Sequence, residues 1–230
     1  MHGKLISTEC VFKSRMYSGE VTPTTFDDIS RYQHAITVAG ATPTRLSSGL
    51  WVWGFDGNDY ISLGSSTALQ GFTAKTVIMW YKAGGFTGVP RYLYYGSYWA
   101  PLYGDLIDLL AGGNIIDMVI KNTAGTAVGG RFDHDIDTWT QFGYCWDGTT
   151  VTYYKNGVAG TAGASAPDAF SGTLACSAYD KVLGCRQKDV GRDYWYDGEL
   201  GEVRIYSRAL SAEEIADIFD KDRKQYGVYI

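Results

Sequence analysis

The chain has 230 residues, of which 45% are hydrophobic and 15% aromatic, and its formal net charge is −5. That composition builds a sizeable core, lies far from the disordered regime, and at this length fits one all-β domain spanning 1–230. No basic run exceeds Lys221-Asp222-Arg223-Lys224, which excludes nucleic acid as an expected partner, because neutralising phosphates takes clustered Lys and Arg.

In chain order, the first expected strand lies in Lys4-Leu5-Ile6-Ser7-Thr8-Glu9-Cys10-Val11-Phe12, followed over 18–49 by loop with a short strand at Thr37-Val38. Leu50 to Leu63 reads as two strands about the turn Asp56-Gly57-Asn58-Asp59. Thr76 to Lys82 is apolar on both faces, the mark of a strand in the middle of a sandwich. Arg91 to Tyr103 carries six aromatics in thirteen positions, split by Gly96 and Ser97. Leu106 to Leu110 and Ile115 to Ile120 flank Gly112-Gly113-Asn114, a hairpin signal. After a Gly-rich stretch, Phe132 to Asp137 reads as loop. Trp139 to Trp146 and Val151 to Lys155 form a hairpin about Asp147-Gly148, and Asn156-Gly157 gives the next turn. Residues 160–175 read as loop, Lys181 to Cys185 as a strand, and Gln187 to Asp197 as loop.

The chain closes with a strand, Glu202 to Tyr206, and a helix. Ser211 and Glu214 have the spacing of a capping box, with Leu210 and Ile215 as its hydrophobic staple. Ile215, Ile218 and Phe219 form the apolar stripe that docks the helix on a sheet. Cys10, Cys145, Cys176 and Cys185 match no zinc spacing. Cys176 and Cys185 are close enough in sequence to staple a hairpin, and Cys145 reads as a buried thiol. Segment 1–20 lacks the apolar core of a signal peptide, and no window has the roughly 20 apolar residues of a membrane helix.

Three stretches together resemble the LamG-like jelly-roll domains of the concanavalin A-like lectin/glucanase superfamily. They are Gly54-Phe55-Asp56-Gly57-Asn58-Asp59-Tyr60-Ile61, the hairpin from Trp139 to Gly157, and the closing strand and helix from Glu202 to Phe219. The resemblance implies a two-sheet antiparallel jelly-roll sandwich with a short C-terminal helix. It also implies a structural calcium ion held by Asp27 and Asp28 of the N-terminal loop. Gly201 stands where the family's last strand carries an acidic residue, a gap that a carbonyl or Asp56 has to fill.

Glycosidases on this fold place two or three carboxylates on one face of one strand. Glu199 and Glu202, like Asp105 and Asp108, are three apart and fall on opposite faces. Asp133, Asp135 and Asp137 alternate beside His134 but read as a solvated loop. No nucleophile motif is present. The expected function is therefore non-catalytic: a lectin-like or adhesion module recognising a glycan or protein surface. Its expected ligand-binding residues are Arg91, Tyr94, Tyr98, Trp99, Tyr103 and Trp195, with Asp105 bonding hydroxyls. A structural subunit of a virion surface, assembling with copies of itself, is the alternative, and a glycosidase the third. An extracellular or virion location fits either leading reading.

Overall fold

Alternating runs, together with central runs apolar on both faces, form strands that make up nearly all of the regular structure. The computed structural model describes residues 9–15, 17–84, 89, 91–96, 104–110, 115–161, 163–174, 179–188 and 190–229. In chain order the strands are β1 (Cys10–Lys13), β2 (Tyr17–Ser18), β3 (Thr37–Ala39), β4 (Thr42–Arg45), β5 (Leu50–Asp56), β6 (Tyr60–Gly64) and β7 (Lys75–Lys82). Next come β8 (Arg91–Tyr95), β9 (Asp105–Leu109), β10 (Ile115–Lys121), β11 (Ala127–Asp133), β12 (Thr140–Trp146) and β13 (Thr150–Lys155). The last are β14 (Val158–Ala159), β15 (Asp168–Ala169), β16 (Lys181–Leu183), β17 (Arg186–Gln187), β18 (Arg192–Asp193) and β19 (Asp197–Tyr206), followed by helix α1 (Ala212–Asp222).

Among the described residues, ten strands form one antiparallel sheet, with β14, β13, β12, β7, β19, β5 and β2 side by side. Seven form the other, in the order β11-β10-β9-β8-β16-β6-β3. The two sheets are the sandwich expected from the sequence. Val77, Met79 and Tyr81 of β7 face inward with Phe142, Tyr144 and Leu200, against Ile61, Leu93, Ile107, Ile116, Met118 and Leu183 of the other sheet. Ile78 and Trp80 point the opposite way and are also buried, because α1 and the turn after it cover that face. Trp80 stacks between Phe219, at 5.6 Å, and Tyr226, at 4.3 Å. The capping box is formed as the sequence indicates. The Glu214 N–H donates to Ser211 Oγ at 3.2 Å, and the Ser211 N–H donates to Glu214 Oε2 at 2.9 Å.

Strands also occur where loop or a Gly-rich stretch is expected, and β4, β11 and the β17–β18 pair each have a local reason. β4 pairs with β5 despite Pro43, at a sheet margin where a missing N–H is tolerated. β11 contains Gly129 and Gly130 and pairs with β10 along its whole length. A Cβ on Gly130 would lie about 2.2 Å from the Tyr153 ring, so the glycine is what lets the ring close the core. β17 and β18 form a separate hairpin within the segment before β19, pinned by a two-pronged Arg186–Asp193 pair at 2.7 Å. Cys185 is a buried thiol free of any partner among the described residues, and Cys176, the other half of the expected staple, lies outside the described residues. Burial pushes the Cys185 thiol up to about 12.

Candidate ligand-binding face

The outward face of the seven-stranded sheet is built from the residues that alternate with its core. Leu106, Val119 and Val182 point outward beside inward Ile107, Ile120 and Leu183, and pack with Tyr60, Tyr92, Tyr95, Tyr194 and Trp195. Tyr92 and Tyr95 are nearly enclosed, while Tyr60, Tyr194 and Trp195 are half-buried. Tyr92 stacks on Tyr194 at 5.6 Å, and Tyr60 lies 6.5 Å from Trp195. Cations lie over the outer rings: the Arg186 guanidinium is 4.1 Å from the Tyr194 centroid, and that of Arg192 is 3.7 Å from Tyr60.

One polar row crosses this face. Strand register sets Tyr92 opposite Asp108, Asp108 opposite Asp117, and Asp117 opposite Arg131. Directly opposed residues have Cβ atoms about 4.5–5.5 Å apart, so two carboxylates sit side by side. Each residue is only 4% exposed. Arg131 Nε lies 3.4 Å from Asp117 Oδ1, whereas Asp108 Oδ1 is buried and accepts no hydrogen bond. Burial, then the charge of Asp117, push the Asp108 carboxyl up to about 8 against the pull of Arg131. Burial also raises Asp117, with Arg131 opposing.

The expected site residues fare differently. Arg91 and Trp195 are brought together: Arg91 Nη1 donates to the Trp195 carbonyl at 2.8 Å. Arg91 also reaches a polar cleft of about 270 Å³ at one end of the sandwich, lined by Lys82, Asp137, Asp197 and Glu199 among others. Tyr94 offers no stacking surface. It points into the core, fully buried, where its hydroxyl accepts from Lys75 Nζ at 3.2 Å. A bulge between Tyr92 and Tyr94 is the reason, since one extra residue reverses which side chains face outward. Asp105 is likewise inward, at 2.8 Å from Lys75 Nζ and bonded by the Tyr144 hydroxyl, so it is not available for ligand hydroxyls. Tyr98, Trp99 and Tyr103 lie outside the described residues. The pair Asp108–Asp117 is the feature that reasoning along single strands missed. Both residues stand four positions from Gly112-Gly113, a symmetry that marks them as partners across the hairpin.

The expected calcium ligands do not fit the ion. Asp28 Oδ1 accepts the N–H groups of Lys13 and Ser30, and Oδ2 accepts from Ser30 Oγ, the His34 N–H and His34 Nδ1. Five donors exhaust the roughly four lone-pair sites of a carboxylate. Burial opposes the charged form of Asp28, but the backbone N–H groups of Lys13 and His34 outweigh it and hold the carboxyl below its usual range. Asp27 takes the Tyr17 hydroxyl and lies 3.6 Å from Arg15 Nε. Calcium requires six to eight oxygens, and Tyr226 fills the space at Gly201, where a Cβ would lie about 2.4 Å from its hydroxyl. In the acidic loop, His134 spends both ring nitrogens on the Tyr81 hydroxyl and the Ala83 carbonyl, and Asp135 pairs with Lys155 at 2.8 Å. Among the described residues, no group of three or more His, Cys, Asp or Glu is placed to hold a metal.

No curated protein matches the chain by sequence. Solved structures match its fold. The binding domain of Paraclostridial Mosquitocidal Protein 1 is similar at a TM-score of 0.73 and 14% identity, over 94% of this chain and 53% of that one. A structure of botulinum neurotoxin type C, whose cell entry depends upon interaction with two ganglioside molecules, is similar at 0.67 and 12%, over 94% and 52%. The binding domain of botulinum neurotoxin DC in complex with SialylT is similar at 0.63 and 11%, over 94% and 52%. The chain thus spans about half the length of the structures it matches, and at these identities the likeness is one of fold. The family model Laminin_G_3, described as the concanavalin A-like lectin/glucanases superfamily, matches residues 55–216. With a match over that much of its length, the chain belongs to the concanavalin A-like lectin/glucanase superfamily.

Proposed function

We propose that this chain is a non-catalytic recognition module that binds a glycan on the outward face of its seven-stranded sheet. The observation that carries this reading is the half-exposed set Tyr60, Tyr194 and Trp195, set beside Arg91 and the polar row from Asp108 to Arg131. The Trp195 ring would stack on an apolar ligand surface, while the polar tips of Tyr60 and Tyr194, whose rings carry Arg192 and Arg186, and the neighbouring polar groups bond to hydroxyl groups. Interaction of the type C neurotoxin with gangliosides, and the DC binding domain complex with SialylT, support a glycan as the ligand class. Those ligands belong to molecules about twice as long as the matched region. An extracellular setting accords with the same neighbours.

A second reading, a glycoside hydrolase, draws on the side-by-side carboxylates. Asp108 would hold the acid's proton, and Asp117, beside Arg131, would supply the ionised partner. Their enclosure leaves little room for a sugar ring between them, which favours binding over turnover.

The deciding experiment is a glycan array with the full chain and Trp195→Ala, with bound oligosaccharides then incubated and assayed for reducing ends. Binding weakened by Trp195→Ala with no new reducing ends supports the module. Release of reducing ends moves the assignment to the hydrolase. A blank array, with self-association seen by light scattering, moves it to a structural subunit.

A further inference from the structure

Asp108 and Asp117 form an unusual pair for a surface that meets only neutral hydroxyl groups. Two carboxyls directly opposed on neighbouring strands repel when both are ionised. Among the described residues the cation facing them is Arg131, which lies against Asp117. Asp108 Oδ1 is enclosed and accepts no hydrogen bond. The wall next to it is the ring of Tyr92, its register partner on β8, backed by Tyr194. A carboxyl pair with one unpartnered oxygen beside an aromatic ring suits an organic cation, since the ionised carboxylates would accept its N–H groups and the ring attracts its charge. Calcium suits it less, because Arg131 already stands on Asp117 and an aromatic wall supplies no oxygen ligands.

We propose that Asp108, Asp117 and Tyr92 form a subsite for a protonated amine on the bound glycan, so that the ligand class is an amino sugar bearing a free ammonium group. This rests on the glycan reading above and adds to it the charge of the ligand. Without ligand, Asp108 keeps its proton at neutral pH. An ammonium group entering the subsite takes the proton's place, and the proton leaves to solvent. The groups that set this exchange are Asp117 on β10, Arg131 on β11, and Tyr92 on β8, which feels the charge of Arg186 over the neighbouring Tyr194 ring. Raising the pH favours the ionised Asp108 and so strengthens recognition only while the amine of the ligand keeps its own proton; above that point the preference falls again.

The test is calorimetric titration of the full chain near neutral pH with the β-1,4-linked tetramer of glucosamine and with its N-acetylated counterpart. Each titration is run in two buffers of different ionisation enthalpy, so that protons released on binding are counted. The expected result is roughly ten- to a hundredfold tighter binding of the free amine, the range of charge-assisted hydrogen bonds, with release of close to one proton. Asp108→Asn keeps the side-chain volume and neutrality, and should lose both the preference and the proton release while still folding. Asp117→Asn should weaken the preference in the same direction. Equal or tighter binding of the N-acetylated tetramer, or a preference that survives Asp108→Asn, overturns the subsite. If neither tetramer binds but the array shows another glycan, the amine inference falls and the glycan reading stands. If the array is also blank, both fall.

Discussion

The guanidinium of Arg91 donates through Nη1 to the main-chain carbonyl of Trp195 at 2.8 Å, and the Tyr92 N–H donates to the Tyr194 carbonyl at 3.1 Å. Two aromatic segments far apart in sequence are thereby sewn into one surface. The side chain of Arg91 fixes the path of the backbone from which the Tyr194 and Trp195 rings project. Arg91→Ala should loosen that path, lowering stability by about 1 kcal/mol and the melting temperature by about 2–4 °C. Ligand affinity should fall further than stability does, because ring placement is lost. Calorimetric melts alongside array binding check this, and unchanged affinity would detach Arg91 from the site.

Trp195 and Tyr60 test the face itself. Both are half-buried and pack on its margin, so truncation costs little core. Trp195→Ala should reduce glycan affinity by about 2 kcal/mol, the scale of an aromatic hot spot, which is roughly thirtyfold. Tyr60→Ala should act in the same direction by a smaller factor. Melting temperatures within a few degrees of wild type confirm that the loss lies in contact and not in folding.

The fold was legible because its signals are local and mutually consistent. The Ser211 and Glu214 capping pair, the doubly apolar Thr76–Lys82 and the Asp147-Gly148 turn each name their own structure, and the helix, the central strand and the hairpin follow. β11 was not legible, because Gly129 and Gly130 carry no strand propensity and are explained only by the Tyr153 ring above them. The site was half legible. Aromatic density marked two segments that the fold brings onto one face, yet simple alternation puts Tyr92 and Tyr94 on the same side, and the bulge between them sends Tyr94 inward. Asp27 and Asp28 have the residue type a hard cation needs. Whether such oxygens are free depends on Lys13, Ser30 and His34, which sequence spacing does not show.

Asp108 makes stability depend on pH with a definite sign. In the unfolded chain its carboxyl ionises at about 3.9, and in the fold only at about 8. Below the lower value both states hold the proton. Between the two only the folded state holds it, so raising the pH weakens the fold across this window. Asp108→Asn removes the titration. Its melting temperature relative to wild type should therefore climb from about pH 5 to about pH 8 and level off above. Thermal melts across that range measure the difference, and a difference independent of pH would mean that the folded Asp108 carries no extra proton.

The interior carries a second charged pair whose behaviour should be opposite to that of the face. Lys75 and Asp105, 1% and 0% exposed, meet at 2.8 Å between the sheets, with the Tyr94 and Tyr144 hydroxyls bonded to them and the Phe72 ring 4.6 Å from Lys75 Nζ. Lys75→Met leaves the Asp105 carboxylate buried without its cation, which costs about 3–5 kcal/mol. Replacing both, as Lys75→Met with Asp105→Leu, removes the desolvation cost along with the attraction and should recover most of that loss. Urea unfolding of the two single variants and the double variant gives the coupling directly. Because this pair lies on the far side of the sheet from Tyr60, Trp195 and Asp108, ligand affinity of the folded Lys75→Met protein should match wild type. A large loss of affinity with intact folding would return Tyr94 to the binding site, whereas a loss confined to stability fixes its role as a core group that holds the two sheets in register.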